Sequence, residues 1–158
     1  MKLTRVRMML ACLLLLVFAS WAAADDKAAR LKERIQRENN PIKRAELQVE
    51  LAEKTFDEAA RLYEKGQSDQ GLATLQEMLA MVTEAHDGLF STGRDPRKKP
   101  KGFKKAEIKL RELARKLEDL RVSLPTYDRE DVRKVIERVS EMHENLLYGI
   151  MRVKEARQ

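Results

Sequence analysis

From Pro41 onward, apolar side chains recur every three or four positions in four successive stretches, and most positions between them are charged. That spacing matches the helical period of 3.6 residues rather than the strand period of two, so it predicts four amphipathic helices. The first covers about 41–65, with a stripe of Ile42, Ala45, Val49, Ala52, Phe56, Ala59 and Tyr63 widened by Leu47, Leu51 and Leu62. The second starts near Ser68 and fades between Gly88 and Gly93; its stripe is Leu72, Leu75, Leu79, Val82, His86 and Leu89, flanked by Met78, Met81 and Ala85. The third runs from Gly102 to Leu124 on Phe103, Ala106, Leu110, Leu113, Leu117, Leu120 and Leu124. The fourth follows Asp128 on Val132, Val135, Val139, Met142, Leu146, Gly149 and Val153. Ile136, Leu147 and Ile150 broaden this last face, which predicts the most buried of the four helices.

The punctuation agrees with these limits. Asn40 is a good N-cap and Pro41 suits the first helical position, where its missing N–H costs nothing. Gly66 fits the left-handed residue that ends a helix. Ser68 is expected to cap the second helix, with Asp69 in its positive first turn. Pro96 and Pro100 break the chain into a loop, and Pro125 disfavours helical backbone just before it. Asp128 is expected to cap the fourth helix, with Glu130 and Asp131 in its first turn and a staple between Tyr127 and Val132. Helices of this length joined by short connections predict an all-α fold, an antiparallel four-helix bundle over 41–158 with shallow, coiled-coil-like crossings. A longer helical-hairpin array and an intertwined homodimer are the competing arrangements.

Upstream, the pattern changes. Lys2, Arg5 and Arg7 precede an apolar run from Met8 to Ala19, and Ala22, Ala23 and Ala24 offer the small residues a signal peptidase needs. Residues 1–24 therefore read as a signal peptide cleaved near Ala24, and the protein as exported, periplasmic or secreted. An uncleaved anchor is the alternative, against which the apolar stretch is short for a membrane span. Residues 25–40 form a charged leader, with Ala28, Leu31 and Ile35 at helical spacing. Cys12, the sole cysteine, opens the apolar run instead of following it, as a lipid-modified cysteine would, and cleavage removes it. The remaining chain then has no disulfide and no thiolate chemistry.

Cleavage also removes three basic residues and halves the formal charge of +6, leaving too weak a bias to expect nucleic acid as a partner. The cations are clustered, however. Arg94, Arg97, Lys98, Lys99, Lys101, Lys104 and Lys105 are opposed nearby only by Asp95 and Glu107. Such a cluster attracts phosphates, anionic headgroups or acidic polymers in a salt-dependent way. Phe103 is the only aromatic residue beside it, which argues against base stacking.

Catalytic patterns are missing. Ser68, Ser91, Ser123 and Ser140 lie in no nucleophile elbow, no glycine-rich phosphate loop occurs, and the carboxylates read as solvated faces, as in the Glu112–Lys116 pair. No enzyme activity and no cofactor are expected. His86 on the second stripe and His143 beside the fourth are the only groups for a competing reading, a small-ligand, metal or haem-binding bundle. Ser140 stands where a di-iron bundle needs Glu, and Met78, Met81, Met142 and Met151 serve as core filler as readily as axial ligands.

Residues 52–85 resemble a single tetratricopeptide-type hairpin: Ala59, Tyr63 and Gly66 stand near its small, aromatic and turn positions, and Leu72 and Leu75 follow at hairpin spacing. Gly71 departs from it, standing where a packing Ala is usual, and no second copy follows at a 34-residue period. The resemblance implies protein–protein binding. The run from Thr92 to Phe103 is also similar to uncharacterised exported helical proteins of bacteria, which implies no activity. The function expected from the sequence is that of a non-enzymatic, exported helical-bundle protein. It would bind a protein partner or an anionic component of the cell envelope through Arg94–Lys105.

Overall fold

Apolar stripes of this kind stay out of water only when the helices pack on one another. The computed structural model of the chain describes residues 27–151, so the expected signal peptide, Cys12 and Val153 lie outside the described residues. It is all-α: every regular element among the described residues is a helix. A short helix α1 covers 27–37. Four long helices follow: α2 (Pro41–Glu64), α3 (Ser68–Phe90), α4 (Lys101–Ser123) and α5 (Thr126–Met151). The chain divides into two compact units, Met1–Gln36 and Arg37–Gln158. In the first, Leu31 is the buried residue of the α1 stripe.

In the second unit, α2 packs on α3 and α4 on α5, each pair joined by a tight turn. The two hairpins then lie side by side. Ile42 meets Gly102, Glu46 meets Lys105 and Glu53 meets Lys109, so α2 and α4 run parallel. Ser68 meets Asp128 and Phe90 meets Gly149, so α3 and α5 run parallel as well. The helices α3 and α4 barely touch although they are consecutive. The segment 91–100 therefore crosses one end of the helical core from corner to corner.

The caps explain where the helices start and stop. The Asn40 side chain accepts from the amides of Ile42 (3.0 Å) and Lys43 (3.4 Å), with Pro41 at the first helical position. At the other end Gly66 has φ +72°; its amide donates to Tyr63 O and that of Gln67 to Leu62 O, both at 2.9 Å, which satisfies two carbonyls a helix end would otherwise leave open. At the α4–α5 turn, Arg129 donates to the carbonyls of Leu124 and Val122, doing with a side chain what glycine does after α2.

Two expected caps are replaced by a tertiary contact. Ser68 is inside α3, whose N-cap Gln67 makes no side-chain bond, and the Ser68 hydroxyl donates to Asp128 Oδ2 at 2.8 Å. Asp128 likewise sits within the first turn of α5 instead of before it. The staple is absent because Tyr127 points into solvent, while Val132 is fully buried.

The stripes of α2 and α4 are buried much as their spacing predicts. In α3 the buried line is Leu75, Met78, Val82, Ala85 and Leu89, while Leu72 and Leu79 are half-buried, so the packed face is turned toward the residues expected to flank it. The expectation that the last helix is the most buried fails: α2 has more covered residues, and Leu147 of α5 is exposed.

Gly71 also finds its reason here. A Cβ at this position would lie 2.8 Å from two ring carbons of Tyr63, so glycine makes room for a buried aromatic ring. Burial, reinforced by the carboxylates of Asp128 and Asp131, pushes the Tyr63 phenol up to about 12. An unfolded chain releases that proton near pH 10 and the folded one holds it, so this contribution to stability is whole below pH 10 and is lost as pH climbs toward 12. The slope is about 1.4 kcal/mol per pH unit over that window. Urea unfolding of the protein and of Tyr63→Phe, compared from pH 9 to about pH 11.5, should show the variant gaining on the parent above pH 10. A constant difference across the range would refute the assignment.

Candidate functional site

Arranged this way, the chain gathers the N-termini of α2 and α4, the C-termini of α3 and α5, and the segment 91–100 at one end. Side chains of α3 and α5 meet the loop there. The loop is built on Asp95: its side chain accepts from the Arg97 amide (2.9 Å) and guanidinium, and its carbonyl accepts from the amides of Lys98 and Lys99. The Arg97 amide, followed by its guanidinium, holds the Asp95 carboxyl below the usual carboxylate range. Gly93 turns the chain out of α3 at φ +63°. Pro96 rests on α5, where a Cβ on Gly149 would be 3.5 Å from its ring.

All seven cations singled out in the sequence are exposed at this end, but they are not equivalent. Arg97 is taken by Asp95, and Lys105 by Glu46 of α2 at 2.8 Å. Both pairs are open to solvent, where such contacts add about 1 kcal/mol or less. Arg94, Lys98, Lys99, Lys101 and Lys104 have no carboxylate within ion-pairing distance among the described residues. Lys43 and Arg44 in the first turn of α2 add to them. Neither α2 nor α4 has an acidic residue in its first turn, and α4 starts without a side-chain cap. Lysines thus occupy first turns where most proteins place Asp or Glu, although the negative ends of α3 and α5 lie at the same end.

Glu107 does not oppose this cluster as expected from sequence. It is 6% exposed, and its Oε1 lies 2.9 Å from His143 Nε2 on α5 and 3.9 Å from the Arg111 guanidinium. This buried polar contact had no signature in the sequence beyond one acidic residue near an apolar stripe. His86 goes elsewhere: its Nδ1 is 2.9 Å from Asp87 Oδ1, its ring lies 4.8 Å from that of Phe90, and its Nε2 is buried without a hydrogen-bond partner. The two histidines thus serve different carboxylates. Among the described residues no three His, Cys, Asp or Glu side chains converge as a metal site would require.

Beside His86 an open cleft of about 530 Å³ runs between Phe90, Pro96 and Arg97 on one side and Asn145 and Tyr148 on the other. Its mouth joins the cationic loop to the end of α5. Sequence reasoning found the cations but missed this neighbour, because Phe90, Pro96 and Tyr148 come together only when α3, the loop and α5 meet. No helix among the described residues is long and apolar enough to cross a membrane. Compared with known proteins, the chain matches no family model, no curated protein and no solved structure.

Proposed function

We propose that this chain is an exported, non-enzymatic protein, an antiparallel four-helix bundle that works by binding an anionic component of the cell envelope or the acidic face of a protein partner. One observation supports the reading above the others. Five exposed cations of a single short segment, Arg94, Lys98, Lys99, Lys101 and Lys104, have no carboxylate within ion-pairing distance among the described residues. Cations placed for stability are found near helix C-termini or beside acids. Lys101 and Lys104 sit in the first turn of α4, where they oppose its dipole, and an external anion would relieve that repulsion. The remainder of the bundle is the scaffold that holds the segment still.

The experiment is binding of the purified protein to a soluble polyanion, poly-glutamate, followed from about 50 to 300 mM salt. Affinity should fall at least about tenfold, because several cations act together and each is screened. Binding indifferent to salt, or none at low salt, would remove the basis of the proposal.

A further inference from the structure

Four of the six large apolar side chains exposed among the described residues, Phe90, Leu147, Tyr148 and Met151, belong to the same end as the unpaired cations. The other two, Val122 and Tyr127, flank the α4–α5 turn at the opposite end. Tyr148 is 56% and Met151 68% exposed, although Leu146 beside them is fully buried. Phe90 stands half out of the core, its ring edge on buried Phe103 at 5.6 Å. The loop adjoins Phe90 and Tyr148, because Pro96 packs on Gly149 and Arg97 shares the cleft with both rings, and Met151 lies one turn beyond Tyr148 on α5.

A soluble polyanion would account for the lysines alone. It offers nothing to a phenol ring and a thioether held out in water. An interface between lipid headgroups and acyl chains accepts both: phosphates at the level of the ammonium groups, and just below them a zone that favours amphipathic rings and apolar tips. Lysine and arginine stems are long enough to lie along such an interface while their charges stay in the headgroup layer.

We propose that this end of the molecule is a bilayer-docking surface for anionic phospholipids. Arg94, Lys98, Lys99, Lys101 and Lys104 engage the headgroups, while Tyr148 and Met151 enter the interfacial zone. The inference rests on the anion-binding reading above and names the anion as a lipid headgroup in a membrane. Helices α2 to α5 rest on the bilayer without crossing it, their ends toward the surface.

Co-sedimentation of the exported protein with vesicles tests this, using phosphatidylcholine alone and phosphatidylcholine with about 30% phosphatidylglycerol, each beside soluble poly-glutamate. A retained leader with Lys2, Arg5 and Arg7 would itself favour anionic vesicles, so the readout is the change each variant makes to the difference between the two. Anionic vesicles should bind at least about thirtyfold more tightly, and changing Lys98, Lys99, Lys101 and Lys104 to Gln should abolish that preference. The Tyr148→Ser/Met151→Ser double variant should lose about tenfold on anionic vesicles and nothing on poly-glutamate. Both changes lie on exposed side chains, and unchanged helical dichroism confirms that each variant is folded. Unaltered vesicle binding by the double variant, or binding to poly-glutamate with no preference for anionic vesicles, overturns the membrane assignment and leaves the anion-binding reading standing. Failure to bind either overturns both.

Discussion

Replacing Phe103 by Ala is expected to lower the free energy of unfolding by about 3–5 kcal/mol, the largest effect of any single truncation considered. Phe103 is completely buried although it is only the third residue of α4, next to the charged loop. It joins the core cluster shared by all four long helices and supports the half-exposed Phe90 through an edge contact. Truncation loses the apolar burial and leaves a cavity that neighbouring helix ends can close only in part. It also withdraws the platform beneath Phe90. Thermal unfolding should show the midpoint falling by roughly 15 °C, since about 4 °C accompanies each kcal/mol in a domain of this size. A loss below about 1 kcal/mol would mean that this end is loosely packed and that the loop is not held against a firm core.

His143→Leu ranks second, with an expected cost of about 3 kcal/mol. The change leaves the buried Glu107 carboxyl without its 2.9 Å neighbour, and Arg111, 3.9 Å away and largely exposed, is a poor substitute. The informative comparison is the double variant Glu107→Leu/His143→Leu. A polar pair replaced as a whole by apolar side chains leaves nothing unsatisfied, so most of the lost stability should return. Chemical unfolding of the parent, both single variants and the double variant supplies the cycle. Additive losses would show that the two side chains are not coupled.

The extent to which the chain could be read in advance follows the range of the interactions concerned. In α2 and α4 the apolar residues alternate with charges around a single face, so only one orientation buries Ala45 through Tyr63 or Phe103 through Leu117. The face of α3 was ambiguous because Leu72, Met78, Leu79 and Met81 offer overlapping stripes; the choice belongs to its neighbours α2 and α5, which leave Met78 fully covered and Leu79 at the margin. Local signals such as Asn40-Pro41 and Gly66 were legible for the same reason that the stripes of α2 were. Ser68 and Asp128 were not, because each satisfies the other across 60 residues and neither performs its customary local duty. The cationic run could be seen in the sequence, but which of its members are spoken for depends on Glu46, more than forty residues upstream. Glu107 and His143 became a pair only when α4 met α5.

The corner-to-corner course of 91–100 has a consequence for how the chain can change length. Helices about 10 Å apart leave a diagonal of roughly 14 Å, and a segment of this size, fully extended, would reach about two and a half times that. The slack is coiled into the turn on Asp95. The links at 65–67 and 124–125 hold no such reserve, so an added residue there would shift the register of a whole hairpin. In the long segment, added residues cost little, because doubling a flexible loop raises its closure cost by only about 0.6 kcal/mol. The strap is therefore where insertions are accommodated most cheaply, by natural variation or by a fused reporter.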